Sequence, residues 1–338
     1  MLLIVGAGFA GLSAALRARH LGVAVTVVAG RERAFDAPEC LSLEGVRALH
    51  DCGLDARQLQ LPPVREYISR WGESPMLSRA PPPGIPKNIM LGRVQLLRAL
   101  RACATEEGVT FVEADELYRV LPTRQGLQLQ FTGPVQELVL DASFAIDASG
   151  RAAVLARKLG VGRRTFDHLV AYGVRGPVHG LPEGVVHTFS VADGWVFAVS
   201  DSPGQAHVCF YTNGRLAGRV TEAKIMERVP YQIRSLMSDE DMWLASGVSA
   251  ANASTSLLDV PGGTYWLACG DALQTVDPLS SSGITTALQQ GAAAVSAAVA
   301  SLSGNLEPMR AYWLESRAHF DSYVRNRNSF YGFGESAS

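Results

Sequence analysis

The chain has 338 residues, 47% hydrophobic and 18% charged, with a formal net charge of -2. That length points to about two domains, and the composition allows a sizeable buried core but offers no basic excess for a nucleic-acid backbone. Cys40, Cys52, Cys103, Cys209 and Cys269 are scattered without a CxxC pair, which argues for reduced thiols in a cytoplasmic protein and against a disulfide scaffold or zinc site.

Met1 to Val5 is a short apolar run, the pattern of a parallel strand buried on both faces. No basic segment precedes it, and Arg17 and Arg19 interrupt the apolar stretch that follows, so neither a signal peptide nor a membrane span is expected. Gly11 to Leu21 has helical spacing and Gly22 ends it; Val23 to Val28 is a second β-branched run. Between the first strand and the helix stands GAGFAG, Gly6 to Gly11. It fits the dinucleotide fingerprint: Gly6 for the tight turn, Gly8 for backbone approach to a pyrophosphate, Gly11 for close packing, and a helix N-terminus facing the phosphates. The acidic residue that holds a ribose hydroxyl should end the second strand, but Ala29 stands there, followed by Gly30, Arg31 and Glu32. Four readings stay open. Glu32 reaches back, water or backbone holds the ribose, Arg31 meets a phosphate or the adenine face, or Arg31 and Glu32 are solvated surface charges.

Leu61 to Lys87 carries seven prolines and reads as a loop or excursion. Val94 to Cys103 is helical, and GVTFVEA from Gly108 is a strand. Leu127 to Phe131, Glu137 to Leu140 and Phe144 to Ile146 read as strands of one meander. Residues 166 to 258 alternate apolar and polar, as an antiparallel sheet does. Tyr265 to Cys269 is one more strand, leading into GDALQTVDPLSSSGITTAL, Gly270 to Leu288. The tail from Leu306 is helical. The serines of SSSG lack the GxSxG frame and a nearby histidine, so a nucleophile is not expected. His168, His179, His187 and His207 have no ligand spacing, so no metal is expected.

Further segments carry a resemblance. PECLSLEGVRALHDCGL from Pro38, GRVQLLRALRACATEEGV from Gly92, IDASGRAAVLARKLG from Ile146 and GDALQTVDPLSSSGITTAL agree in order and spacing with FAD-dependent oxidoreductases of the para-hydroxybenzoate-hydroxylase fold group. The chain resembles their tryptophan-halogenase-like and geranylgeranyl-reductase-like branch, which includes flavoproteins that mature quinone cofactors; RWG at Arg70 to Gly72 and FDSYVRNRNSFYG near the end fit too. The resemblance implies an α/β fold: a Rossmann-like FAD-binding domain (residues 1–65, 90–165 and 259–305), an antiparallel-sheet substrate domain (66–89 and 166–258) and a C-terminal helical tail (306–338).

The implied cofactor contacts are Gly6, Gly8, Phe9, Ala10, Gly11, Ala29, Arg31, Leu41, Arg93 and Leu117 from the first part of the chain, and Asp271, Pro278, Ser281, Ser282, Gly283 and Ile284 from the last. Asp271 would accept from the ribityl or pyrophosphate region. Backbone N–H groups from Ser281 to Ile284 would face the flavin pyrimidine edge, where a helix N-terminus favours negative charge. Trp71, Trp195, Phe197, Phe210 and Tyr211 are candidates for the substrate side, although an alternating strand buries one face and core roles compete. The sequence assigns no catalytic acid or base.

The implied activity is monooxygenation of an electron-rich, aromatic substrate through a flavin hydroperoxide, with NAD(P)H binding transiently or a partner reductase supplying electrons. A flavin-dependent reductase or dehydrogenase acting on a C=C bond shares every cofactor motif, and a flavin-binding maturation subunit without turnover is a third reading. Halogenation is disfavoured. Only Trp195 remains of the halogenase W-x-W-x-I-P segment, Tyr67 stands where the directing lysine is expected, and Lys87 lies on the wrong side of Trp71. The chain stops soon after Phe330 and Tyr331, so an open substrate side is expected. That suits a protein- or carrier-tethered substrate or closure by a partner protein; a small-molecule substrate is the alternative.

Overall fold

The structure is a computed structural model that describes residues 1–30, 38–59, 61–81, 88–215 and 218–331. Its centre is a six-stranded sheet in the order Gly262–Gly263, Trp266–Ala268, Phe144–Asp147, Leu2–Val5, Val25–Ala29, Thr110–Glu113. Leu2–Val5 and Val25–Ala29 are buried at every position, because helices and a three-stranded meander pack against their sheet. The strands from Trp266 to Glu113 run parallel, so their C-terminal ends, and the turns after them, gather at one edge. That edge is where ligands bind in open parallel sheets.

Two helices lie against each other beside this sheet. Phe9–His20 follows the first strand, and Gly283–Leu302 follows the second glycine-containing motif. Gly291 makes the close crossing possible, since a Cβ there would overlap the Ala10 carbonyl. Gly291→Val is therefore expected to cost about 1–3 kcal/mol or more through overpacking, read as a lower thermal unfolding midpoint.

A separate seven-stranded sheet is ordered Ser249–Asn252, Leu169–Pro177, Gln205–Asn213, Gly194–Ser202, Val185–Val191, Glu66–Arg70, Leu77–Arg79. On one face Phe189, Val196, Phe210 and Trp243 form a core with the helix Glu222–Arg228 and Ile233. The other face carries Leu169, Ala171, Trp195, Cys209 and Tyr211 and turns toward the second motif. The long helix Glu307–Tyr331 runs across the molecule and ends at this face.

Three expectations are corrected. Phe144–Asp147 does not close a meander; it joins the central sheet beside Leu2–Val5, because its four residues are buried on both faces. The meander is instead Glu116–Thr123, Gly126–Thr132 and Leu138–Ala142. The proline-rich stretch is not all loop: Glu66–Arg70 and Leu77–Arg79 extend the large sheet, with the prolines outside the paired segments. Residues 166 to 258 are not sheet alone either, since the short helices Glu222–Arg228, Tyr231–Arg234 and Glu240–Leu244 cover its far face.

Candidate cofactor site

The turn after the first strand opens a cavity of about 800 Å³. Gly6 sits at φ +112, and a Cβ there would collide with the Ala148 carbonyl, so the loop packs against the turn that ends the neighbouring strand. Gly11 packs as tightly against Gly6 itself. Gly8 is different: space for its missing Cβ is open, and it lines the cavity with Gly6 and Ala7. A ligand's pyrophosphate can approach there as the fingerprint requires. Phe9 and Ala10 are buried and support the helix without reaching the cavity lining. Opposite the glycines, the cavity is lined by Arg93, Arg98, Arg101, Arg157 and Lys158, which suits an anionic group.

The Asp147–Gly150 turn forms the cavity floor. Asp147 is fully buried, yet its carboxylate accepts from the Ser149 N–H at 3.1 Å, the Ser149 hydroxyl at 2.5 Å and the Ala156 N–H at 2.9 Å. Burial raises its pKa, and these bonds oppose the rise. The carboxylate is thus a structural clamp on the DASG turn. Leu117 lines the cavity. Ala29 ends its strand buried and carries no polar side chain. Arg31 lies outside the described residues.

Arg93 begins the helix Arg93–Glu106, and its guanidinium sits 3.2 Å from the Glu39 carboxylate and over the Phe9 ring, 5.1 Å from the centroid. Burial raises the Glu39 pKa and Arg93 opposes it. The neighbouring Leu41 is a correction: its side chain is fully buried in the core, so only its backbone is left to face a ligand. Its strand, Pro38–Leu41, pairs with Ile89–Gly92 and leads to Ser42, whose hydroxyl lies 3.3 Å from that of Thr285 in the second motif.

The second motif begins at Gly270, whose N–H donates to the buried Gln290 Oε1 at 2.9 Å. Gly270 packs on Ala10 of the first motif, so two loops distant in sequence form one wall. Asp271 has a partly exposed carboxylate with Arg151 Nε at 3.5 Å, and Arg163 donates to its backbone carbonyl at 3.0 Å. Farther on, Asp277 accepts from the Leu279 N–H at 2.8 Å and opens a short turn, Pro278–Ser280. Ser281 is held at φ +47, a left-handed conformation that a non-glycine residue adopts at a cost of about 1–3 kcal/mol. The strained turn leads into the helix Gly283–Leu302, whose first N–H groups have no intrahelical partner. Ile284 itself is buried.

The face of the large sheet that carries Trp195 sorts the substrate-side candidates. Trp195 and Tyr211 stack at 3.8 Å between centroids with planes 7° apart, and both are buried. Trp71 meets Phe330 and Tyr331 edge-on. Phe197, like Trp71, is half-buried and keeps part of its ring surface accessible. Phe210 is corrected: it lies in the opposite core and is fully buried, because it neighbours Tyr211 on one strand and successive side chains point to opposite faces.

The sequence reading missed a buried network from the tail helix. The Tyr331 hydroxyl donates to Asp277 Oδ2 at 2.5 Å and accepts from Trp195 Nε1 at 2.8 Å. The Tyr323 oxygen accepts from the Asp277 N–H at 2.7 Å. Arg327 lies 3.0 Å from Asp167 and 3.9 Å from Asp277. Tyr323, Arg327 and Tyr331 share one face of the helix, spaced four residues apart, which is the one signal that could have revealed them. The tail's last turn thus covers Trp195.

A family model described as "FAD binding domain" matches residues 1–326. No curated protein matches the sequence. Among solved structures, the fold is similar to the flavin-dependent brominase Bmp2, with a TM-score of 0.77, 19% identity, and 92% of this chain and 82% of that one covered. It is similar to the peptidyl tryptophan dihydroxylase QhpG, essential for tryptophylquinone cofactor biogenesis, with a TM-score of 0.73, 23% identity and coverage of 99% and 75%. It is also similar to p-nitrophenol 4-monooxygenase PnpA from Pseudomonas putida DLL-E4, with a TM-score of 0.80, 14% identity and coverage of 100% and 89%.

Proposed function

The chain belongs to the FAD binding domain family and is an FAD-dependent oxidoreductase, and on that premise we propose that it is a monooxygenase that hydroxylates an electron-rich aromatic substrate. The observation that carries this reading is the junction of the two motifs. Gly270 packs on Ala10, in the first turn of the helix that opens at the glycine loop, so the second motif abuts the first. That junction suits a single long dinucleotide held by both motifs.

In this reading residues 1–65, 90–165 and 259–305 hold the cofactor, and 66–89 with 166–258 form the substrate side. When bound, FAD supplies the transfer of electrons between a reductant and oxygen. The chain's own groups do the rest. Gly8 and the N-terminus of Phe9–His20 receive the pyrophosphate, and the cavity arginines balance its charge. Asp271 accepts from a ribityl or ribose hydroxyl. The free N–H groups at the start of Gly283–Leu302 hold negative charge at the pyrimidine edge. The stacked Trp195 and Tyr211 give the roof a rigid floor, and Phe197 presents its exposed part toward a planar substrate.

Hydroxylation is favoured over halogenation by the lysine inventory. The chain has three lysines. Lys158 lines the cavity, Lys224 is on the helix over the far face of the large sheet, and Lys87 lies outside the described residues. Tyr67, at the position expected for the directing lysine, accepts a hydrogen bond from Asn88 at 2.7 Å. QhpG acts on peptidyl tryptophan, so peptide-borne indoles belong among the test substrates.

The test supplies the FAD-loaded protein with NADH, NADPH or a generic reductase, isotopically labelled O2, and a panel of phenols, indoles and tryptophan-containing peptides. One or more labelled oxygen atoms in a product is the expected result. Product formed without label would replace hydroxylation with reduction or desaturation of a C=C bond. A protein that binds FAD yet consumes no oxygen with any reductant would be a maturation subunit.

A further inference from the structure

We propose that the helix Glu307–Tyr331 positions the turn that receives the flavin end of the cofactor, and that Asp277 is the positioning residue through which it acts. The proposal rests on the cofactor reading above and adds to it a dependence on the tail.

The turn needs support from outside itself. Ser281 is held at φ +47, and a strained non-glycine residue persists only where its surroundings over-determine its conformation. Part of that support is local. The Ser281 N–H donates to the Pro278 carbonyl at 2.9 Å. The Ser280 hydroxyl donates to the Asp277 carbonyl at 2.9 Å and lies 2.8 Å from that of Ser282. These bonds fix the turn relative to Asp277 and Pro278. The direction in which the turn sets out is therefore decided by what holds Asp277.

Asp277 is buried, and its polar groups divide between two directions. Oδ1 accepts from the Leu279 N–H at 2.8 Å and closes the turn. Oδ2 accepts from the Tyr331 hydroxyl at 2.5 Å and lies 3.9 Å from Arg327 Nε. The backbone N–H donates to the Tyr323 oxygen at 2.7 Å. One helix thus grips one residue by its main chain and its side chain. Tyr323 is itself fixed: its oxygen lies 3.2 Å from the Thr255 hydroxyl, and its ring packs with Phe320, Leu257 and Val276, the residue before Asp277. A buried network satisfied in this way rigidifies what it joins. The effect reaches the far end of the turn. The first N–H groups of Gly283–Leu302 lack intrahelical partners and serve a ligand only if the turn delivers them to a fixed place. In the cofactor reading they meet the pyrimidine edge, whereas Gly8 and the helix Phe9–His20 meet the pyrophosphate. Neither Asp277 nor the turn after it lines the cavity beside the glycine loop. Loosening Asp277 is therefore felt at the flavin end and not at the adenosine end.

The experiment measures binding of FAD and of ADP to flavin-free full-length protein by calorimetry, at a temperature where every variant is folded. Asp277→Asn keeps an oxygen for the Leu279 N–H and replaces the other with an amide nitrogen, which cannot accept from Tyr331. Tyr323→Phe keeps the ring and removes the oxygen that accepts from the Asp277 N–H. Each is expected to weaken FAD by roughly 10-fold, the worth of one buried hydrogen bond, and to leave ADP within about twofold of the parent. Ile225→Ala, in the core on the far face of the large sheet, is the comparison: it is expected to lower the thermal midpoint and to keep the ratio of FAD to ADP affinity. Parental FAD affinity in either variant, or FAD and ADP weakened by one factor, would overturn the positioning role and leave the cofactor reading intact. A matching shift of the ratio in Ile225→Ala would also overturn it, since lost stability would then explain the effect. Failure of the unmodified protein to bind FAD would overturn both.

Discussion

Asp271→Ala is expected to weaken FAD binding by roughly 10- to 100-fold, the worth of a hydrogen bond to a charged acceptor, while the protein stays folded. The fold is spared because Asp271 is not what holds its turn. Gln290 fixes the Gly270 N–H, and Arg163 donates to the backbone carbonyl of Asp271. The carboxylate's ion pair with Arg151 spans 3.5 Å between partly exposed groups. Such a pair contributes about 0–1 kcal/mol. A thermal melt of the flavin-free variant should therefore match the parent closely. ADP affinity is expected to hold as well if Asp271 serves the ribityl end, since Asp271 does not line the cavity beside the glycine loop. FAD retained at parental affinity would mean that the second motif does not touch the cofactor.

Arg327→Met is expected to act on stability. The guanidinium lies between Asp167 at 3.0 Å and Asp277 at 3.9 Å, and Asp277 is 1% exposed. Methionine keeps much of the bulk and removes the positive charge. Leaving buried carboxylates uncompensated costs about 3–5 kcal/mol. The pH dependence identifies the cause. Burial raises the Asp277 pKa, while the Tyr331 hydroxyl, the Leu279 N–H and Arg327 each pull it down. Losing Arg327 raises it further. A carboxyl whose folded pKa is raised favours the folded state when protonated, and that contribution disappears as pH rises through the folded pKa. The deficit of the variant should therefore be largest near neutral pH and shrink as the pH falls toward the ordinary carboxylate range, as chemical denaturation at several pH values would show. A deficit independent of pH would assign the loss to packing alone.

The same network explains why the tail was read as no more than a helix. Tyr323, Arg327 and Tyr331 are polar or aromatic residues on a mostly polar helix, a pattern that fits a solvated surface equally well. Their meaning comes from Asp277 and Asp167, which tertiary packing brings beneath them.

Other elements were legible because local rules and global packing agree in them. GAGFAG lies between a strand buried on every side and a helix, and Gly11 answers a short-range steric demand against Gly6, whereas Gly6 is crowded by the distant Ala148 carbonyl and Gly8 leaves open space. The strain at Ser281 was not legible, since nothing in SSSG marks a left-handed residue. Phe210 and Tyr211 show the limit in a single pair. Both are aromatic and adjacent, so the alternation predicts that they face opposite ways, but which one faces the cofactor depends on the layer that covers each side.

The sequence by itself determined that this chain binds a dinucleotide through a strand–glycine loop–helix unit, and that a second glycine–aspartate motif serves the same fold. Both are contiguous, and short-range geometry dictates their residues. Only the tertiary structure decided that Phe144–Asp147 belongs to the central sheet and that Asp277 is clamped by the tail. Each of these is a neighbour relation between strands or helices far apart in the chain. Hydrophobic burial sets such relations through whole faces, and no local run of residues carries a record of them.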